Sequence, residues 1–343
     1  MSDPRTPRSF VERHRFGRVG RIPSPTPFPV GDINSYLVFP PAGSESLTLI
    51  DTGVRSPESF EALRRGVKEF GFSLEQIQRI LVTHAHPDHF GQARRLREIS
   101  GAPVYASAIE SERMKTHWLP SADRSPSTLA WFRRWGVPEE CLRPEPGRAE
   151  FVREIQEPLD VDVVIAEGDV LELGEFRLEV IETPGHCEGH VVFYERETQS
   201  LFSGDHLLAD ISPVPLLSFP DREGEPRPKS LMRFMDSLAK VERLACRITF
   251  PSHGDVIWDH HQVIAGYRLH HERRKLQMLR MLREGPRSPF EIAVQMFKRH
   301  WQSQIFLVLS EVIGHLDLLE HEGLVAFEPE GGVERARAVE HPA

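Results

Sequence analysis

Cysteine is scarce: Cys141, Cys187 and Cys246 are the chain's three among 343 residues. They form no Cys-x-x-Cys pair and cannot all pair with one another, so a disulfide framework is not expected. A reducing cytoplasm is the expected compartment. Apolar runs are also short, and none approaches the roughly 20 residues a membrane helix needs. The first 21 residues carry six Arg against Asp3 and Glu12. No apolar core follows them, which argues against a secretory signal and leaves a solvated basic tail. Nor is positive charge in excess. The 42 Lys and Arg face 51 Asp and Glu, a net charge of −9 that disfavours polyanion binding across the whole surface.

What the chain does have is an ordinary globular composition, 39% hydrophobic and 27% charged, with length for one large domain and a small one. Short β-type runs open it, at 35–39 and 47–51. Ser56-Pro57 then sets a cap and a first-turn proline before the helical spacing of Phe60, Leu63, Val67 and Phe70, which Gly71 stops. A buried strand at 79–83, a helix at 90–100 and a strand at 103–107 follow. This alternation predicts a layered α/β domain. Further strands are expected at 162–165, 170–173, 176–183, 191–194 and 201–203, then a helix at 229–244 and a strand at 247–251. Two sheets with outer helices fit that order. The segment 108–160 is rich in proline and charge yet holds Trp118, Trp131, Phe132 and Trp135. It reads either as a helical excursion packing its aromatics on the body or as a lid. From His261 on, three helices and a short strand at 324–327 are expected. The predicted division is therefore a catalytic body over 1–260, a small domain over 261–330 and a tail over 331–343.

Histidine is the oddity, with 17 in the chain, and position matters more than number. His84-Ala-His86-Pro-Asp88-His89 sits between a buried strand and a helix. Two His one residue apart can clasp one ion while the next Asp and His turn toward a second. Without ions, four such side chains in six residues would crowd costly polar groups into one loop. Three more candidates each end a strand: His186 in Thr183-Pro-Gly-His186, Asp205 in Ser203-Gly-Asp205 and His253 in Pro251-Ser-His253. A lone Gly-His pair means little, but strand-end His, Asp and His after a His-x-His-x-Asp-His loop is a specific pattern. Seven such ligands exceed what one tetrahedral zinc can use, so two ions are expected. Zinc is the default, with iron or manganese also compatible with imidazole and carboxylate donors.

From about Asn34 to Ile257 the sequence resembles the metallo-β-lactamase superfamily. The resemblance implies a four-layer αββα sandwich of the α/β class. It also implies that His84, His86 and His186 hold one metal, that Asp88, His89 and His253 hold the other, and that Asp205 bridges both. Asp51, in Leu-Ile-Asp-Thr-Gly, and His190 match residues that support the ligands. Water acidified by such ions reaches a pKa of about 7 and becomes a hydroxide nucleophile, and Asp88 is expected to carry the proton to the leaving group. Cys187 is expected to pack rather than react, and His206 has no evident role.

The bridging-type Asp205 is found in glyoxalase II, lactonase and ribonuclease Z types, whereas true lactamases of this fold generally lack it. The tail from about His261 to Phe327 resembles the winged-helix domain appended to some members, among them an endoribonuclease and certain thioesterases. Its third helix, 304–322, carries Glu311, Asp317, Glu320 and Glu322 with no Lys or Arg, and the span 261–343 holds 11 basic and 11 acidic side chains. Phosphate binding needs a basic face. The expectation is a metal-dependent hydrolase of a small ester, thioester or lactone. Its partner is a small molecule rather than nucleic acid or membrane, and a homodimer is left open. An endoribonuclease or phosphodiesterase is the alternative, and an iron enzyme resembling persulfide dioxygenases a more distant one.

Overall fold

Alternation along the strands decides the layering. The computed structural model describes residues 18–39, 47–143, 146–173, 176–220, 225–299 and 301–339. Strands β1 (Val19–Ser24), β2 (Ile33–Val38), β3 (Leu47–Ile50), β4 (Ile77–Leu81), β5 (Val104–Ser107) and β6 (Val163–Ile165) stand in chain order in one sheet. The first three pair antiparallel and β3 to β6 parallel. Strands β7 (Val170–Leu173), β8 (Phe176–Glu182), β9 (Val191–Glu195), β10 (Ser200–Gly204) and β11 (Ile248–Pro251) form the second sheet, in which β10 and β11 run parallel and the other neighbours antiparallel.

Parallel neighbours need crossovers, and helices supply them. They are α1 (Pro57–Glu69), α2 (Pro87–Phe90), α3 (Ala93–Ser100), α4 (Ala108–Met114), α5 (Pro126–Arg134), α6 (Arg148–Ile155) and α7 (Ser230–Val241). The start of α1 is set as its sequence predicts: the Ser56 side chain accepts the Ser59 N–H at 3.0 Å, and Pro57 opens the first turn. Leu37, Leu49 and Ile80 turn one way to meet Leu63 and Val67 of α1 and Leu96 of α3. Tyr36, Val38, Ile50 and Leu81 turn the other way, against Val180, Phe193, Phe202 and Phe250 of the second sheet. The far side of that sheet, with Ile181, Val192 and Leu201, is covered by Phe234 and Leu238 of α7. Period-two strands between helices give the αββα order.

Beyond β11 come α8 (His260–Arg283), α9 (Pro289–Met296), α10 (Ile305–His321) and the antiparallel hairpin β12 (Val325–Glu330) with β13 (Val333–Ala338). Met278, Ile292, Leu309, Val312 and Leu316 fill this core. Phe132, Trp135 and Leu217 of the preceding body fill it with them.

Two expectations are corrected here. The basic tail does not extend through Arg21, because residues 19–24 form β1; residues 1–17 lie outside the described residues. The tail expected over 331–343 is instead β13 over residues 333–338. Gly331 and Gly332, both at positive φ, make the turn that allows it. Residues 340–343 lie outside the described residues. Within 108–160, α4 follows β5 as a crossover helix, and Phe132 and Trp135 pack in the C-terminal core, as in the first of the two readings of that segment.

Candidate metal centre

The C-terminal ends of four strands converge on one cleft, where loops can carry polar groups on a rigid frame. Past β4, Val82-Thr83 leads to His84 and His86, and α2 starts at Pro87 so that Asp88 and His89 occupy its first turn. His186 follows β8, Asp205 follows β10 and His253 follows β11. The register of β10 against β11 shifts between Phe202 and Gly204, which re-aims the chain just before Asp205. Gly204 lies at φ +50, and a Cβ there would meet His190 Nε2 at 2.7 Å. Only glycine permits this approach.

All seven sequence-predicted donors come together, buried, in two groups. Donor atoms of His84, His86, His186 and Asp205 lie within 4.8 Å of one another, as do those of Asp88, His89 and His253. His84 Nε2 and His186 Nε2 stand 2.8 and 3.1 Å from His86 Nδ1. Burial, aided by neighbouring rings, holds His84 and His86 well below the ordinary histidine range and lowers His186 too, so these rings are neutral. His186 Nδ1 donates to the Val214 carbonyl at 3.0 Å, which leaves Nε2 with a bare lone pair. A bare lone pair aimed among neighbouring ring nitrogens is what a cation can engage.

In the second group, His89 Nε2 and His253 Nε2 are buried with no hydrogen-bond partner among the described residues. They face carboxylates instead. His253 Nε2 is 3.3 Å from Asp88 Oδ2, and His89 Nε2 is 3.9 Å from Asp88 Oδ1. Asp205 spans the groups: Oδ2 lies 3.3 Å from His186 Nε2, and Oδ1 lies 3.6 Å from both His89 Nε2 and His253 Nε2. Burial disfavours charge on His89, but Asp51, Asp205 and Asp88 outweigh it and raise its pKa well above the ordinary value. His253 is raised against burial by Asp205 and Asp88. A divalent cation would supply that positive charge in place of the two protons. The donor set fits divalent cations with nitrogen and oxygen ligands.

The two residues expected to support the ligands lie beside them. Asp51, at φ +56, accepts the Thr83 N–H at 2.9 Å and faces His89 Nδ1 at 2.8 Å, which turns Nε2 into the centre. Such left-handed backbone in a non-glycine residue is strained and tends to persist at functional sites. His190 Nε2 accepts the Asp205 N–H at 3.1 Å and its Nδ1 meets Thr183 Oγ1 at 2.8 Å, so both of its ring nitrogens are engaged beside Asp205. Cys187 is buried, and burial together with Glu110 pushes its thiol well above its ordinary pKa, so it is no ready nucleophile. His206 is buried and pushed down to about 3 by that burial.

Sequence reasoning missed Glu110 and underused Trp118. Glu110, fully buried on α4, accepts the Ala85 N–H at 2.8 Å and the Gly189 N–H at 2.9 Å, and Arg113 donates to it at 2.6 Å. It thereby ties the loop of His84 and His86 to the loop of His186. The Glu110 and Arg113 spacing, one helical turn, was legible; that the pair lies under two loops was not. Arg113 sits 4.4 Å over the Trp118 ring, and Trp118 stacks on His86 with centroids 6.0 Å apart. Trp118 also walls a cavity of about 1170 Å³ bounded by Arg113, Glu188, Leu217, Phe219 and Phe306. Glu110→Gln is expected to loosen metal about 10- to 100-fold, the usual cost of losing a partner behind the ligands. It places an amide against one of two backbone donors. Chelator competition on the variant checks this, and wild-type affinity would remove Glu110 from the site's support.

Comparison with known proteins adds an independent line. The family model described as Metallo-beta-lactamase superfamily matches residues 28–253, a span that contains every residue of both donor groups. A Bacillus subtilis protein named "Probable metallo-hydrolase YqjP" is 30% identical over 325 residues, covering 90% of this chain and 93% of its own. An atrochrysone carboxyl ACP thioesterase of Emericella nidulans is 25% identical over 306 residues, covering 88% of this chain and 78% of its own. Among solved structures, a metallo-beta-lactamase family protein of Thermus thermophilus superposes with a TM-score of 0.76 at 29% identity, covering 94% of this chain and 98% of that one. Layer order, strand-end donors and family match agree, and the chain belongs to the metallo-beta-lactamase superfamily.

Proposed function

We propose that the chain is a hydrolase of a small ester, thioester or lactone that works with two divalent ions, zinc by default. The observation that carries this is Asp205, whose two carboxylate oxygens each face a different donor group at 3.3 to 3.6 Å. In this reading His84, His86 and His186 would hold one ion and Asp88, His89 and His253 the other, with Asp205 facing both groups. Bound divalent ions would supply the nucleophile by acidifying water and would take up charge developing on the acyl oxygen. The chain's own part is to fix those donors, to move a proton through Asp88 toward the leaving group, and to seat the substrate beside Trp118. The thioesterase named above supports placing thioesters first. A screen of thioester, lactone and RNA substrates with metal-replete protein tests the reading. Turnover confined to RNA would contradict it.

The C-terminal body of three helices and a hairpin follows the order of a winged helix, and we read it as packing and pocket closure rather than nucleic-acid recognition. Among its described residues, α10 presents no Lys or Arg, and Asp317 is paired with Arg227 of the preceding body. No RNA or DNA binding tighter than about 10 μM is expected at physiological salt, within the range of non-specific contacts. Titration at two salt concentrations checks this: tight binding that falls steeply with salt would favour the phosphodiesterase alternative.

A further inference from the structure

The loop after Asp205 runs from the centre to the C-terminal body, and its hydrogen bonds join the two. His186 Nδ1 donates to the Val214 carbonyl at 3.0 Å, and the Leu216 N–H donates back to the His186 carbonyl at 3.1 Å. The next residue, Leu217, donates its N–H to Ser310 Oγ at 3.1 Å, and the Ser310 hydroxyl donates to the Phe306 carbonyl at 2.8 Å. Ser310 is 1% exposed on α10, and Leu217 is buried in the core with Leu309, Val312 and Ile313. So α10 grips the segment whose Val214 carbonyl sets the ring orientation of a candidate ligand. Phe306, one turn before Ser310, lines the cavity that Trp118 walls.

We infer that the C-terminal body is a working part of the metal centre, with Ser310 as a positioning residue that holds His186 in register through residues 214–217. The chemistry suits this. A serine hydroxyl both donates and accepts, so one buried atom satisfies the Leu217 N–H and its own proton. Alanine at 310 leaves that N–H buried and unpaired, which the segment relieves by shifting toward other partners. Any such shift moves the Val214 carbonyl, and with it the His186 ring. This inference rests on the metal-site reading above.

Cobalt(II)-reconstituted full-length protein tests it. Ser310→Ala should release cobalt to excess chelator about tenfold faster than wild type, the low end for a support one step removed from a ligand, with an altered cobalt spectrum. Leu316→Ala, a core cavity further along α10, should lower stability yet leave release unchanged. Because coupling is reciprocal, cobalt loading of the unaltered chain should slow amide exchange at 216–217 and along 305–313. That second measurement decides the matter if Ser310→Ala does not fold. Release from Ser310→Ala at the wild-type rate, equal acceleration by Leu316→Ala, or exchange protection that stops short of α10 would overturn the inference alone. A wild-type chain that takes up no cobalt would instead overturn the metal-site reading, and this inference with it.

Discussion

Asp205→Ala is expected to leave the chain with one metal ion instead of two and to abolish most of its hydrolytic activity. Among the described residues, Asp205 is the carboxylate that reaches both donor groups, with Oδ2 toward His186 and Oδ1 toward His89 and His253. Two divalent ions about 4 Å apart, the common spacing of paired sites, repel by roughly 16 kcal/mol even at an effective dielectric of 20. Alanine removes the negative charge between them and adds none. The ion held by Asp88, His89 and His253 should leave first. That group would lose the carboxylate oxygen that both His89 and His253 face, whereas the neutral imidazoles of His84, His86 and His186 already face one another. Ser252, which donates to Asp205 Oδ1, would be left facing the gap. Elemental analysis of the purified variant beside wild type reads the outcome directly. Two retained ions would show that Asp205 does not bridge.

Asp88→Asn separates chemistry from metal holding. Asp88 is buried, and although burial raises carboxyl pKa values, His89 and His253 pull this one below its ordinary range. It therefore rests ionised, able to accept a proton and return it to a leaving group. Removing such a group costs about 10² to 10⁴ in rate. The expected result is a fall of that size in kcat for protein shown by elemental analysis to be metal-replete. Cys187→Ser should change kcat little, because the thiol is buried and held protonated. Near-normal turnover in a metal-replete Asp88→Asn protein would remove Asp88 from the proton path, and a large loss in Cys187→Ser would point to a thiol nucleophile instead.

The legible parts of this molecule share a cause. Ligands such as His84, His86, Asp88 and His89 sit within six residues, and His186, Asp205 and His253 each follow a strand, so local order already places them at one edge. Strand periodicity likewise separates Leu37 and Leu49 from Tyr36 and Val38. The parts missed depend on contacts distant in sequence. Strand β1, Val-Gly-Arg-Ile-Pro-Ser, ends an arginine-rich stretch and is broken by glycine and proline, and it pairs with β2 through backbone bonds, which side-chain pattern does not report. Strand β13, Val-Glu-Arg-Ala-Arg-Ala, reads as charged, yet Arg335 and Arg337 pair with Glu330 and Glu328 across the hairpin. Glu110 stands among several acids in a charged segment, and only the fold brings the Ala85 and Gly189 N–H groups to it. Trp118, Trp131 and Trp135 shared a segment but part company, the first to His86 and the others to the shared core.

Everything proposed for the centre turns on its holding two cations around Asp205. Elemental analysis of the full-length wild-type chain, after supplementation with zinc, iron or manganese and removal of loosely held metal, measures this directly. The expected result is close to two ions per chain for at least one of these metals. A consistent value of one or none would contradict the two-ion centre.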